Sequence, residues 1–344
     1  MLAAYHKLLQ RAKFAALLFI FFLLLIFLGT FLAFLRTPLV DEEANPVYFI
    51  FPTGSSVVHL ANQLYNLGLT TYPRSYLIFL AMLMRVQNHL HAGEYEIKPG
   101  MTSIELLNDM EAGRVVWRNF LFIEGWTLNQ LREALDQNPF LIHKTRGLTE
   151  LQLAHLLHVP YTHLEGLFFP DTYRYTAGLS DTLILRQSYQ AMQQKLNAAW
   201  QSRVPKLIYH NPYQALIVAS LVEKEAKLNE DRAKIAGVIL KRLAIGMPLQ
   251  IDASVIYGLG NQYNNHLKRV QLKIPTPYNT YLIKGLPPTP IAMPGEASIH
   301  AALHPVINQD LFYVARGDGG HVFSRTLAAQ DQAIKLYRRK QRTN

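Results

Sequence analysis

Residues Phe14 to Leu35 form a run of 22 without one charged side chain. In water such a run has to be buried; as a helix rising about 1.5 Å per residue it spans roughly 30 Å, the thickness of a bilayer's hydrocarbon. Lys7, Arg11 and Lys13 precede the run, and Arg36, Asp41, Glu42 and Glu43 follow it. Positive flanks stay on the cytoplasmic side. The expected arrangement is therefore a single-pass anchor over 14–36 in the inner (cytoplasmic) membrane. Residues 1–13 would lie in the cytoplasm and the long C-terminal part in the periplasm. A cleaved signal peptide is the competing reading. Its apolar core runs about 7–15 residues and ends at a small-residue site; this run is longer, and Phe31–Leu35 offers no such site.

The anchor also explains the charge. A net +10 over 344 residues invites a nucleic-acid reading. Yet eight of the positive charges sit at the ends: four within residues 1–36, and Arg338, Arg339, Lys340 and Arg342 in a basic tail at 338–344. Only +2 is left for residues 37–337. No nucleic-acid partner is expected of that body. The absence of cysteine excludes disulfides, thiolate metal sites and a cysteine nucleophile. His155 with His158, and His300 with His304, have helical spacing but form no H-E-x-x-H. No phosphate-binding glycine loop and no G-x-S-x-G elbow occurs. No cofactor, nucleotide or catalytic metal is expected.

After a polar linker at 37–45, one pattern recurs. An apolar strand-like run reaches Gly54, Gly100 or Gly125, and Ser56, Thr102 or Thr127 follows two residues later. A helical stripe then carries Leu60 and Leu64, Leu106 and Met110, or Leu131 and Leu135. Thr102 with Glu105, and Thr127 with Gln130, fit capping boxes. The expected strands are Val47–Phe51, Gly93–Lys98 and Val115–Ile123. Any strand-to-helix turn needs a glycine and a cap, so the pattern also stands without a true repeat. Tyr76–Val86 reads as a buried helix. Beyond residue 150, helical periodicity covers Leu151–Leu157, Leu183–Trp200, Tyr213–Lys227 and Arg232–Ala244. Proline-rich sequence fills 274–295, and a short strand is expected at Leu311–Ala315. The fold class is α+β with segregated elements.

Chemistry concentrates in five places. Ala215–Val222 is almost wholly apolar and then meets Glu223 and Glu225. Burial disfavours a charged carboxyl, so such a group can hold its proton near neutral pH and act as a general acid. The two glutamates point about 160° apart on a helix, and Glu225 stacks over Leu221, near Val222. A solvated helix end with Lys227 pairing Glu223 accounts for the same letters. In Leu249-Gln250-Ile251-Asp252 the polar pair alternates with apolar residues, as on one face of a strand. Tyr278-Asn279-Thr280-Tyr281 and Glu165–Tyr173 place aromatics beside amides or carboxylates, which suits sugar recognition. His321 follows the Gly317–Gly320 turn and is either a substrate contact or structural.

Together these motifs resemble the YceG-like endolytic murein transglycosylases. The matching residues are Ser220-Leu-Val-Glu-Lys-Glu225-Ala; Arg242 through Gln250, Asp252 and Gly258; Tyr278–Tyr281 with Gly285-Leu-Pro-Pro; Gly319-Gly-His-Val-Phe323; and Glu124-Gly125 and Glu165-Gly166 through Pro170-Asp171-Thr-Tyr173. Two departures stand beside them: Ala226, where Thr is common, and Pro248 inside the Gly-Met-x-Leu-Gln run. The resemblance implies a LysM-like subdomain at 46–116, a mixed α+β catalytic domain at 117–337, and Glu225 as the catalytic acid. It also implies peptidoglycan glycan strands as substrate, cut to 1,6-anhydro ends, and peptidoglycan synthases (penicillin-binding proteins) as partners. Gln250, Asp252, Asn279, Tyr281 and His321 are the expected cleft residues. A muramidase-type hydrolase using Glu225 with Asp252, and a non-enzymatic wall-binding scaffold, are the alternatives.

Overall fold

The computed structural model describes residues 2–343, without the side chains of 2–5, 7–9 and 340–343. Lys7, Lys340 and Arg342, part of the charge argument above, therefore lie outside the described side chains. The chain divides into two compact units, residues 1–118 with 175–179, and residues 119–174 with 180–344.

The first unit opens with helix α1 (Leu2–Arg36). Among the described residues this is the one helix long and apolar enough to cross a membrane, over Gln10–Arg36. Strand β1 (Val47–Phe51), helices α2 (Val57–Asn66) and α3 (Arg74–Leu83), strand β2 (Gly93–Ile97) and helix α4 (Ser103–Glu111) follow. β1 and β2 pair antiparallel, with Phe49 opposite Tyr95. Alternation buries Phe49, Phe51, Tyr95 and Ile97 against Leu60 and Leu64 of α2 and Leu106 and Met110 of α4. Ser56 caps α2, and Thr102 with Glu105 completes the expected capping box on α4.

Two features of this unit depart from the sequence reading. The last turns of α1 do not stand free. Phe31 and Phe34 are buried, Phe27 and Phe31 pack edge-on against Tyr76 and Phe79 of α3, and Thr30 shares a 2.7 Å hydrogen bond with the Tyr76 hydroxyl. Nor is the start of the linker loose. Leu39 and Val40 are apolar enough to be buried, and the backbone there is pinned by Leu39 N to Met101 O (2.7 Å) and Gly100 N to Val40 O (2.9 Å).

The second unit is mainly helical. Strand β3 (Arg118–Leu121) enters it and pairs with β4 (Thr172–Tyr175). Between them lie α5 (Leu128–Asp136), with the expected Thr127–Gln130 capping box, and α6 (Glu150–Leu157). Helices α7 (Asp181–Gln201), α8 (Pro212–Glu225), α9 (Asn229–Ala244), α10 (Asp252–Leu259) and α11 (Glu296–Leu303) build the core. The hairpin β5 (Phe312–Ala315) and β6 (His321–Ser324) follows, then α12 (Leu327–Thr343), which takes the basic residues from 338 onward into a helix. Residues 274–295 hold no regular element, as their prolines require.

Helix α8 is the centre of this unit. Asn211 caps it by accepting from Gln214 N, Pro212 opens its first turn, and every residue from Ala215 to Val222 is buried. It packs between α9 and α11. Burying side chains such as Leu216, Ile217, Leu221 and Val222 stabilises by roughly 1.5–3 kcal/mol each. Such a helix cannot shift without opening the core, so its last residue, Glu225, is held in place.

Candidate functional site

Glu225 ends α8 at the wall of a cleft of about 440 Å³. Its neighbours there come from five segments: Arg242 of α9, Gln250 and Asp252 at the start of α10, Tyr281 of the irregular stretch, Tyr313 and His321 of the hairpin, and Gln330 and Asp331 of α12. The Tyr313 hydroxyl donates to Glu225 Oε2 at 3.1 Å. Burial, with the nearby Asp252 carboxylate adding to it, pushes the Glu225 carboxyl up to about 7; the Tyr313 bond pulls against this. The phenol of Tyr313 is itself driven well above its usual value by burial and by Glu225. A carboxyl near 7 that opens onto a cleft can deliver a proton at neutral pH and take one back.

Each wall is fixed by buried polar contacts. The hairpin sets Tyr313 and His321 on one face, their rings edge to face at 5.5 Å. Its turn depends on Gly317 and Gly319 at positive φ and on Asp318, which accepts from Gly320 N at 3.0 Å. His321 is tied from behind: its backbone N–H (2.7 Å) and Nδ1 (3.1 Å) both meet Asp231 Oδ2. Arg242, almost fully buried, donates to Leu311 O (2.7 Å) and Leu249 O (2.6 Å) and lies 5.3 Å over the Phe312 ring. It thus joins the hairpin to the 248–250 turn. Tyr281 donates to Asp252 Oδ1 at 2.6 Å, and the buried Thr280 hydroxyl accepts from Ile251 N at 2.9 Å.

The residues expected in the cleft divide unevenly. Glu225, Gln250, Asp252, Tyr281 and His321 all line it. Asn279 does not. It is wholly buried, its amide donating to Leu272 O and Ile274 O and accepting from Tyr281 N, so it shapes the turn that presents Tyr281. The route by which Gln250 and Asp252 arrive also differs from expectation. They are not strand residues: Gln250 has φ 53° and Asp252 is the first residue of α10. Glu223 is no solvated partner of Lys227. Its side chain is buried, accepting from Arg232 Nη1 (3.2 Å) and Gly295 N (3.0 Å). Tyr313 and Arg242 were missed as functional candidates. Tyr313 sits 88 residues from its partner, and only the non-local fold brings it to Glu225.

A helix-borne carboxyl with a neutral-range pKa, opening onto a cleft lined by tyrosines, amide and imidazole, has the chemistry a general acid needs. Comparison with known proteins gives the family. The model of the YceG-like family matches residues 49–336, and the chain belongs to that family. It is 29% identical over 323 residues to the endolytic murein transglycosylase of Bacillus subtilis (strain 168), covering 88% of each chain. It is 27% identical over 345 residues to the endolytic murein transglycosylase of Streptococcus pneumoniae (D39), covering 89% of this chain but 61% of that longer relative. A YceG-like protein of Listeria monocytogenes, solved crystallographically at 2.6 Å, superposes with a TM-score of 0.54 at 27% identity, over 84% of this chain and 99% of that one.

Proposed function

We propose that this protein is a membrane-anchored lytic transglycosylase that cuts peptidoglycan glycan strands internally, with Glu225 as its only essential acid and base. The observation that carries the reading is Glu225 itself, raised to about 7 at the wall of a sugar-sized cleft. In the first half of the reaction Glu225 donates its proton to the glycosidic oxygen between MurNAc and GlcNAc, and the C1–O bond breaks. In the second half the carboxylate takes the proton from the C6 hydroxyl of the same MurNAc. That oxygen bonds to C1, which closes the 1,6-anhydro ring and leaves Glu225 protonated for the next turn. Because the nucleophile belongs to the substrate, its effective concentration is high and no activated water is needed. Gln250, Asp252, Tyr281 and His321 hold the sugar, and Tyr313 holds the acid.

The anchor reading rests on α1, with the N-terminus cytoplasmic and the catalytic unit on the periplasmic side. The order β1–α2–α3–β2 with β1 antiparallel to β2 supports a LysM-like subdomain within residues 46–116. A protein so placed meets new strands as membrane-bound synthases of the penicillin-binding class extrude them, and it would terminate their elongation.

Glu225→Gln keeps the shape and removes the proton. It should lower turnover of purified glycan strands at least a hundredfold. Mass spectrometry of the wild-type products should show 1,6-anhydro ends. Reducing ends would overturn the reading in favour of hydrolysis by Glu225 with Asp252, and full turnover by Glu225→Gln would remove Glu225 from the chemistry.

A further inference from the structure

A second cleft of about 680 Å³ borders the same two helix ends. Lys224 borders it while the next residue, Glu225, borders the catalytic cleft; Ala253 borders it while Asp252 borders the catalytic cleft. Adjacent Cα atoms are about 3.8 Å apart, so at both places a single residue step separates the two. The volume is in the range of a ligand site. Three tyrosines, Tyr257, Tyr263 and Tyr278, line it with the exposed Gln130 and Lys224. At its wall is Glu165, which is 5% exposed and pairs with no cation among the described residues. Its partners are neutral: Leu128 N at 3.0 Å and the Tyr257 hydroxyl at 3.1 Å.

Aromatic faces pack on the C–H faces of sugars, while amide, hydroxyl and a carboxyl bond their hydroxyl and acetamido groups. A strand cut internally also carries sugars past the scissile bond on both sides, and those sugars must lie on some surface. We infer that this second cleft is a saccharide subsite: it binds the glycan strand one or more disaccharides away from the bond held at Glu225. The inference rests on the glycan reading of the catalytic cleft. Burial raises the Glu165 carboxyl to about 7, against the bonds it accepts from Leu128 N and the Tyr257 hydroxyl.

The test separates length from chemistry. Tyr263 is partly exposed, so Tyr263→Ala leaves the core intact. In the full-length Glu225→Gln protein in detergent, binding is measured with two probes freed of stem peptides, a tetrasaccharide and strands of more than ten disaccharides, and with the same long strands still carrying their peptides. Tyr263→Ala is expected to weaken binding of the long strands about tenfold and leave the tetrasaccharide unchanged. An equal loss for both probes, or no loss for either, would overturn the subsite. So would a loss seen only with strands that retain their peptides, which would assign the cleft to the stem. Because binding is read without turnover, failure here is distinct from failure of the acid assignment, which shows as activity in Glu225→Gln.

Discussion

At the scale of single residues, the site is a balance on one carboxyl. The Tyr313 hydroxyl bond favours the charged form of Glu225, and burial favours the neutral form. Tyr313→Phe removes the first and keeps the second. The alkaline limb of the pH–kcat/KM profile should then move up by roughly half a unit to one unit, since a hydrogen bond nets about 1 kcal/mol. An unmoved limb would mean that the bond is absent in the working enzyme. The same balance costs stability. A carboxyl whose folded pKa lies above its unfolded value adds no penalty below about pH 4, a growing one as pH rises toward 7, and the full one above. Glu225→Gln should therefore stabilise the protein by about 3 kcal/mol at pH 8 and by almost nothing at pH 4, read from urea midpoints at the two pH values. The place of Glu225 at the end of a buried apolar helix was legible in the sequence, while its expected role came from the family resemblance. Asn279 was misread because an amide beside tyrosines looks the same whether it bonds sugars or backbone carbonyls. Tyr313 was invisible because nothing local marks it.

At the scale of elements, capped stripes and apolar runs announced helices and the strands Val47–Phe51, Gly93–Ile97 and Phe312–Ala315 alike, whereas β4 and the helices α10, α11 and α12 did not announce themselves. The stripes behind Ser56, Thr102 and Thr127 became helices with the expected caps, since cap and stripe are both local signals. The Gln250–Asp252 pair alternated like a strand, but two letters of alternation are too few to outweigh the start of α10. Residues 37–40 read as part of a polar linker, yet Leu39 and Val40 are buried. Some elements also fit too tightly for propensity to decide. Gly237 lies in the middle of α9, where alanine would ordinarily gain about 1 kcal/mol. Here a Cβ would run into the Val306 carbonyl oxygen, and that backbone is fixed by Val306 N bonding Ala233 O at 2.9 Å. Gly237→Ala should therefore destabilise, by about 1–3 kcal/mol, seen as a lower thermal midpoint. A raised midpoint would show that the 304–307 segment yields.

At the scale of the whole molecule, charge placement and the anchor were legible from the outset, while the joint between anchor and first unit was not. Ring packing of Phe27, Phe31 and Phe34 on Tyr72, Tyr76 and Phe79 gives α1 and α3 a common core. A chain cut to residues 37–344 would leave that aromatic face of α3 bare. It should self-associate or bind detergent micelles, whereas one beginning at Gly29 should do so less; gel filtration with and without detergent distinguishes the two. The joint also sets a rule for building chimeras. An unrelated membrane helix spliced at Arg36 would supply hydrophobicity without the matching rings, and the first unit would lose part of its own interior. Spliced before Phe27, the same foreign helix would leave that interior whole. The folded unit thus begins inside the apolar helix, well before the point where hydropathy alone would draw its border.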